Sequence, residues 1–351
     1  MPDKQRLLGL SELRKMHPAV IWMLAVDGKF YKKDQGPEIF DQREPGCIEA
    51  ILNGLAVALE CVKEPLTIEA IQNIHRACLQ DIVSQNSRDT PPGEFRTNPI
   101  GFEMLSHWGS AEGLRELTTR TDVSLYLAQK MGQKLLIHVD DPKFRLKPST
   151  AASFLEAARE NRVFLYYIPV DARIIHTTVE QAIEEYNTTI RAESISKTEK
   201  LTILSKLVQK LTSAHPFRDG NNRVFVNALL NALLITHGFN ACIFEDPNIF
   251  EFHSIRELTD AIQKAMENNQ RITENCDDEI FGFLNSSMDH SIFEKYALMG
   301  ARFLTKVDRL IASEQNTTLA LARQNHGIFQ TEDKGVGGEL EQPTLPQKNI
   351  S

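Results

Sequence analysis

Apolar residues recur with the spacing of helix faces along most of this chain of 351 residues. One such pattern covers residues 47–62, and a second covers residues 66–79, where Thr67 is placed to cap the helix N-terminus. Further helical patterns lie at 172–189, 199–214, 224–238, 254–268, 278–284 and 293–320. The chain is therefore predicted to be mainly α-helical, with one or two short pairs of strands.

These patterns divide the chain into a main domain with a segment at each end. Residues 1–45 contain a mildly apolar stretch around Trp22 and Met23, and the pattern indicates no function for them. Residues 46–290 hold most of the predicted helices, and residues 291–320 read as a separate C-terminal helix. In residues 321–351 Gln, Gly, Pro, Glu and Lys predominate, which is typical of a disordered tail.

Composition and charge argue against several classes of protein. The hydrophobic content of 42% and the charged content of 25% are those of a globular protein with a sizeable core. The net charge of −8 argues against a nucleic-acid partner. The five cysteines lack a C-x-x-C pair, which fits a reducing compartment and gives no zinc site. Since neither a secretion signal nor an apolar run of membrane-spanning length is present, we expect a cytoplasmic protein without a membrane span.

The densest group of polar residues is the stretch 215–223, His-Pro-Phe-Arg-Asp-Gly-Asn-Asn-Arg, which lies between two helical patterns. A loop that leads into a helix N-terminus presents unpaired backbone amides, which bind phosphate. His215 is suited to accept a proton from an attacking hydroxyl near neutral pH. Asp219 is a hard oxygen ligand of the kind that Mg²⁺ takes together with phosphates. The stretch therefore predicts a site that transfers a phosphate-linked group.

The remaining residues of the stretch fit the same site. Gly220 lets the backbone approach an anion closely, Asn221 can cap the following helix, and Arg223 can bind a phosphate through two hydrogen bonds. Phe217 is apolar and is suited to anchor the loop in the core. So many complementary groups within nine residues favour a functional loop over an ordinary polar turn.

The stretch from His215 to Arg223 resembles the signature of the Fic family, His-Pro-Phe-x-Asp/Glu-Gly-Asn-Gly-Arg-x-x-Arg. The resemblance implies a Fic-type helical bundle with a small β-hairpin flap, and an enzyme that transfers AMP from ATP to a Ser, Thr or Tyr hydroxyl of a protein. It implies that His215 is the general base and that Asp219 holds Mg²⁺. It also implies a donor-binding loop made of Phe217, Asp219, Gly220, Asn221, Asn222 and Arg223.

The chain departs from this signature at two positions. Asn222 stands where the family has its second glycine, which would be costly if the backbone there required a positive φ. Val226 stands where the family has its second arginine, a residue that binds the terminal phosphate of ATP. On a regular helix Val226 would lie one turn from Asn222, on the face of the site. We therefore expect diphosphate-linked donors to bind nearly as well as triphosphates, and expect Val226→Arg to favour ATP.

A second resemblance concerns the flap that aligns the target segment in Fic proteins. The turn after Pro92 continues into Gly93, Phe95, Arg96 and Thr97, which are similar to the residues of that flap. A rival position is the run Lys143-Phe144-Arg145, which lies closer to the signature. With the flap at 93–98, residues 104–165 read as an insertion, with helices at 110–133 and 148–162 and a short strand at 134–139.

Two classes of function remain open at this stage. The first is an enzyme that transfers AMP, or in place of AMP a UMP or phosphocholine group, to a protein. The second is a binding module whose anion pocket no longer turns over. The presence of His215, Asp219 and Arg223 favours the enzyme, whereas Asn222 and Val226 favour the binding module. The acidic tail would also suit a bacterial effector that is secreted into a host cell.

Overall fold

The computed structural model describes residues 2–31, 35–62, 65–82, 90–117, 119–120, 124–129, 148–160, 163–192, 194–276 and 290–331. Within these ranges the chain is mainly α-helical, which confirms the predicted fold class. The α-helices are α1 (Pro2–Arg14), α2 (Gly28–Tyr31), α3 (Gly36–Asp41), α4 (Cys47–Cys61), α5 (Ile68–Cys78), α6 (Ala111–Leu117), α7 (Pro148–Arg159), α8 (Ile175–Thr189), α9 (Lys197–Ala214), α10 (Asn231–Thr236), α11 (Ile255–Glu274) and α12 (His290–Thr331). Short 3₁₀ helices cover Pro18–Leu24, Ser106–Trp108, Ala172–Ile174 and Pro247–Glu251, and a π-helical segment, Arg223–Leu230, leads into α10.

Several helices begin where the sequence places a capping residue. The side chain of Thr67 accepts a hydrogen bond from the backbone of Ala70 at 3.1 Å, as predicted for α5. Ser196 and Ser254 cap α9 and α11, and each forms a reciprocal capping box with the glutamate three residues later. These local bonds fix the starts of the helices that surround the polar loop.

The centre of the core is the apolar helix that follows residues 215–222. Every residue from 224 to 235 is buried. Helices α4, α5 and α9 pack around the π-helical segment, and α1 packs against α10. Two asparagine side chains inside the core are hydrogen-bonded. Asn231 donates to the carbonyl of Asn227 and accepts from the amide of Cys242 at 2.6 Å, and Asn227 donates to the carbonyl of Leu24 at 3.1 Å. The polar loop is therefore joined directly to a helix that is buried in the centre of the core.

Among the described residues, the sheet has three antiparallel strands, β1 (Phe102–Met104), β2 (Ser124–Gln129) and β3 (Val163–Ile168), with β3 in the middle. Phe102 pairs with Tyr167, and Ser124 pairs with Ile168. The single helix predicted at 110–133 was wrong, because α6 ends at Leu117 and the second part of that range pairs with β3 as a strand. The helix predicted at 148–162 is confirmed by α7.

The two ends of the chain pack against each other. The 3₁₀ helix Pro18–Leu24 is almost entirely buried against α12. Arg6 of α1 donates from Nε to Glu314 of α12 at 3.0 Å and from Nη1 to Thr236 of α10 at 2.9 Å. Helix α12 continues to Thr331, so the first part of the predicted tail is helical.

Some predictions from the sequence fall on residues outside the described ranges. These are the helix at 278–284, the strand at 134–139, the rival flap position at 143–145 and the disordered tail from residue 332 onward. Within the described ranges, no helix is long and apolar enough to cross a membrane.

Candidate active site

The loop begins at His215, which ends α9 in a left-handed conformation with φ 46° and ψ 56°. A second left-handed residue, Gly220 with φ +73°, turns the chain into the following helix. The side chain of Asn221 closes the loop, since it accepts from the amide of Phe217 at 3.1 Å and donates to the Phe217 carbonyl at 3.0 Å. The prediction that Asn221 caps the helix was therefore wrong, because its amide group is used across the loop.

The loop rests on a buried histidine that the sequence did not assign to the site. The ring of His75 stacks on that of Phe217 with 3.7 Å between centroids and a 9° angle between planes. His75 accepts at Nδ1 from the amide of Gly93 at 2.7 Å, and its Nε2 lies 3.1 Å from the carbonyl of Asp219. Burial lowers the pKa of His75 to about 4, so the ring is neutral and donates from Nε2. Phe217 is fully buried, which places its side chain in the core.

Arg96 binds the loop from the other side. Its backbone amide donates to the carbonyl of Pro216 at 2.8 Å, and its Nε donates to the carbonyl of His215 at 2.7 Å. Its Nη1 donates to the carbonyl of Asn98, and its Nη2 donates to the carbonyls of Val170 and Ala214. Because Ala214 and His215 end α9, these bonds place the buried positive charge of Arg96 at the C-terminal carbonyls of that helix. The flap residues predicted at 93–97 differ in their surroundings. Gly93 is buried beside His75, and Arg96 is buried against the loop. Phe95 is half-buried, and Thr97 is exposed.

His215, the predicted base, lies largely buried, with 17% of its side chain exposed. Its Nδ1 is 3.0 Å from the carbonyl of Thr212 and 3.3 Å from Oε1 of Glu251. The ring of Phe102 lies against it, with 4.7 Å between centroids. Burial lowers the pKa of His215 to about 4, so that the free imidazole is present at neutral pH.

Glu251 is a site residue that reasoning from the sequence missed. It ends the 3₁₀ helix Pro247–Glu251 and is 4% exposed. Burial raises the pKa of its carboxyl to about 8. A signal was present in the sequence, since this acid stands between two phenylalanines, Phe250 and Phe252. In the structure both rings are fully buried.

The loop forms one side of an open pocket of about 630 Å³. The loop side of the pocket consists of His215, Arg218, Asp219, Gly220, Asn221, Asn222 and Arg223. The N-terminal segment supplies Asp27, Lys29, Phe40, Arg43 and Glu44, and the chain around β1 supplies Ile100, Gly101, Phe102 and Trp108. Residues 1–45, for which the sequence indicated no function, therefore build much of the pocket.

The two departures from the Fic signature have different consequences. Asn222 has an ordinary helical φ of −66°, so its side chain causes no backbone strain. Its Nδ2 donates to Asn248 at 2.8 Å. Val226 is fully buried in the core, whereas Asn227 lines the pocket. The prediction that position 226 faces the site was wrong, because the wider turn of the π-helical segment moves the later side chains around the axis.

The charged residues of the loop, Arg223 and Asp219, differ in their hydrogen-bond partners. Arg223 pairs through Nη2 with Glu44, and its buried Nη1 has no hydrogen-bond partner in the part of the chain that the structure describes. The carboxylate of Asp219 accepts from the amide of Gly220 at 2.7 Å. Among the described residues, no group of three or more His, Cys, Asp or Glu side chains could hold a metal ion. A magnesium site here would thus rely on Asp219 together with the phosphates of a ligand.

Comparison with known proteins gives one informative match. No protein-family model matches the chain. The chain is 30% identical over 286 residues to Phosphocholine transferase AnkX of Legionella pneumophila subsp. pneumophila (strain Philadelphia 1). The matched region covers 76% of this chain and 30% of AnkX, so the chain spans less than a third of that relative's length.

Proposed function

We propose that this chain transfers a phosphocholine group from a nucleotide-linked donor to a hydroxyl side chain of a target protein. The observation that carries the proposal is the ring of Phe102, which lies 4.7 Å from that of His215 at the pocket. Aromatic faces bind quaternary ammonium groups such as choline, and Phe40 and Trp108 line the same pocket. The similarity to a phosphocholine transferase supports this donor, and it also supports the resemblance to the Fic family.

The reaction needs a base beside the acceptor and cations beside the donor phosphates. The Nε2 of His215 takes the proton of the target hydroxyl, whose oxygen forms a bond to the phosphorus of phosphocholine. The bond from that phosphorus to the bridging oxygen breaks, and a nucleoside monophosphate leaves. The Nη1 of Arg223, which has no partner among the described residues, and the backbone amides of Asn221 and Asn222 at the start of the helix bind the phosphate oxygens.

Asp219 fits a role in holding Mg²⁺. Magnesium is usually bound by one or two carboxylates plus phosphates and waters, and Asp219 is a carboxylate at the edge of a polar, open pocket. When bound, the ion would neutralise charge on the two phosphates of the donor. The role of Asp219 would be to hold the ion beside the loop.

A second candidate is the transfer of AMP from ATP, with the same residues in the same roles. It is favoured by the sequence of the loop, which resembles the signature of a family that transfers AMP. The absence of an arginine at position 226 weakens the case for ATP, since Val226 is in the core and offers no contact to a terminal phosphate.

The acceptor is proposed to be a Ser, Thr or Tyr hydroxyl of a protein that binds beside the pocket. The exposed residue Thr97 and the outer edge of β1 are the places where an extended target segment could pair. Delivery into a host cell as a bacterial effector stays a prediction.

The test is a labelling screen with the purified chain and a cell lysate. CDP-choline, ATP, UTP, CTP and GTP, each carrying label in the transferred group, are compared with and without EDTA. Label is expected to reach protein from CDP-choline, to be lost with EDTA and in Asp219→Ala, and to fall by about 10²–10⁴-fold in His215→Ala. Labelling from ATP alone would favour AMP transfer. No transfer from any donor, with donor binding retained, would favour the binding module.

A further inference from the structure

Glu251 is an acidic residue buried in the core, where it is 4% exposed. It lies between the fully buried Phe250 and Phe252. The 3₁₀ helix that it ends packs against α9, against the 3₁₀ helix Ser106–Trp108 and against the π-helical segment. Burying a carboxyl group in such surroundings costs free energy unless a partner compensates for it. The partner that the structure provides is His215.

The contact involves one particular nitrogen of the histidine. Oε1 of Glu251 lies 3.3 Å from Nδ1 of His215, and the carbonyl of Thr212 lies 3.0 Å from the same nitrogen. A carbonyl oxygen only accepts hydrogen bonds, so Nδ1 must carry the proton to bond with Thr212. With Glu251 ionised, both neighbours of Nδ1 are acceptors, and the neutral ring leaves Nε2 unprotonated.

We propose that Glu251 is a positioning residue for His215, whose carboxylate holds the ring proton on Nδ1 and so leaves Nε2 free to act as the base. This inference rests on the proposed function, in which Nε2 takes the proton of the acceptor hydroxyl. When Nε2 becomes protonated, the same carboxylate stabilises the imidazolium ion that forms. The proton returns to solvent or to the leaving phosphate afterwards, so that no further reactant is needed.

Protonation of Glu251 would weaken this arrangement. A protonated carboxyl donates a hydrogen bond, and it would compete for Nδ1 as an acceptor and favour the tautomer with the proton on Nε2. The pKa of Glu251 is raised to about 8 by burial, so this competition would occur near neutral pH. Transfer should therefore rise with pH as Glu251 ionises.

Other charged and titratable groups lie near the pair of Glu251 and His215. Arg96 and Asp219 face His215 from the flap side and from the loop. His107 belongs to the 3₁₀ helix Ser106–Trp108, which packs against the 3₁₀ helix that Glu251 ends, and it pairs with Asp246 at 4.0 Å. Close to Glu251 along the chain, His253 pairs with Glu257 at 4.0 Å.

The experiment compares the full-length wild type with Glu251→Gln, which keeps the shape of the side chain and removes its charge. The matched control is Glu180→Gln, since Glu180 pairs with His176 on the exposed face of α8. The tautomer of His215 is read from its two ring ¹⁵N chemical shifts between pH 6 and 9, and His215→Gln assigns the signals. The wild type should show the proton on Nδ1 above pH 8, and Glu251→Gln should show a larger share of the Nε2-protonated form.

Kinetics then separate positioning from ligand binding. Glu251→Gln should lower kcat for transfer by about 10²-fold, within the range of a positioned base, and leave KM for CDP-choline within about 2-fold. The rise with pH should disappear in this variant, and Glu251→Asp should recover part of the rate. If the tautomer is unchanged in a folded Glu251→Gln protein, or if KM rises at constant kcat, Glu251 does not position His215. The ¹⁵N measurement needs no turnover, so it decides this inference even if the donor screen fails.

Discussion

Arg43 shows how a single side chain can supply a charge that the signature loop lacks. It is exposed, and its guanidinium lies 5.6 Å from the ring centroid of Phe40 and 6.0 Å from that of Phe30. These rings hold the guanidinium in one region without neutralising it. Since Arg43 and Arg223 line the same pocket, the two are placed to bind a ligand with two phosphates.

We predict that Arg43→Ala weakens binding of CDP-choline and of CMP by about 10-fold or more. A charge-assisted hydrogen bond to phosphate contributes roughly 1.5–3 kcal/mol, and 1.4 kcal/mol corresponds to a factor of 10. Titration calorimetry at low salt measures both ligands. The control is Arg173→Ala, since Arg173 is exposed and pairs with Asp171 outside the pocket. Equal affinities in wild type and Arg43→Ala would show that Arg43 does not contact the phosphates.

At the scale of elements, the loop is held between segments that are distant in the sequence. His75 of α5 supports it by stacking on Phe217 and by one hydrogen bond to the carbonyl of Asp219, and Arg96 binds the carbonyls at the end of α9. Both side chains are buried, and both act on the backbone of the loop. The position of the base therefore depends on α5 and on the run before β1, as well as on α9.

We predict that Arg96→Met and Thr97→Ala, neighbours in the chain, have different effects. Arg96→Met leaves several buried carbonyls unpaired, at a cost of about 1–3 kcal/mol for each group. It should lower the melting temperature and reduce donor binding and transfer together.

Thr97 is exposed, so Thr97→Ala should leave the melting temperature and donor binding unchanged. If the run also aligns the target, Thr97→Ala should reduce only the transfer to protein, measured as KM for the acceptor. A normal melting temperature in Arg96→Met would contradict the supporting role.

At the scale of the molecule, neutral histidines that are buried or half-buried make the fold sensitive to acid. Burial lowers the pKa of His75 and of His237 to about 4 each, and His237 also bonds with the hydroxyl of Tyr186 at 3.0 Å. In the unfolded chain a histidine has a pKa near 6.5. Between these values the unfolded state binds protons that the folded state excludes, so the free energy of unfolding falls as the pH falls from about 6.5 to about 4.

We predict that this loss is about 1.4 kcal/mol per pH unit for each such histidine. Urea unfolding at pH 7, 6 and 5 measures the slope. His237→Gln should be less stable at pH 7 because its bond changes, but its slope should be shallower by about that amount. The control His176→Gln replaces an exposed histidine and should keep the wild-type slope. An unchanged slope in His237→Gln would mean that this residue is charged in the folded state.

The sequence by itself determined the features that depend on neighbouring residues. Helical spacing and caps such as Thr67 and Ser196 act over three or four residues, so the helices and the mainly α-helical class could be predicted. The nine residues of the loop are contiguous, so the proximity of His215, Asp219 and Arg223 could also be predicted.

Only the tertiary structure decided the features that arise from contacts between distant segments. Residues 124–129 are a strand because β3 offers a partner, although their local pattern predicted a helix. Val226 is turned into the core by the π-helical segment, and Glu251 meets His215 across 36 positions of the chain. The N-terminal segment forms a wall of the pocket because its apolar residues bury against α12. The burial and hydrogen bonding that set these positions are properties of the packed molecule, and no local pattern encodes them.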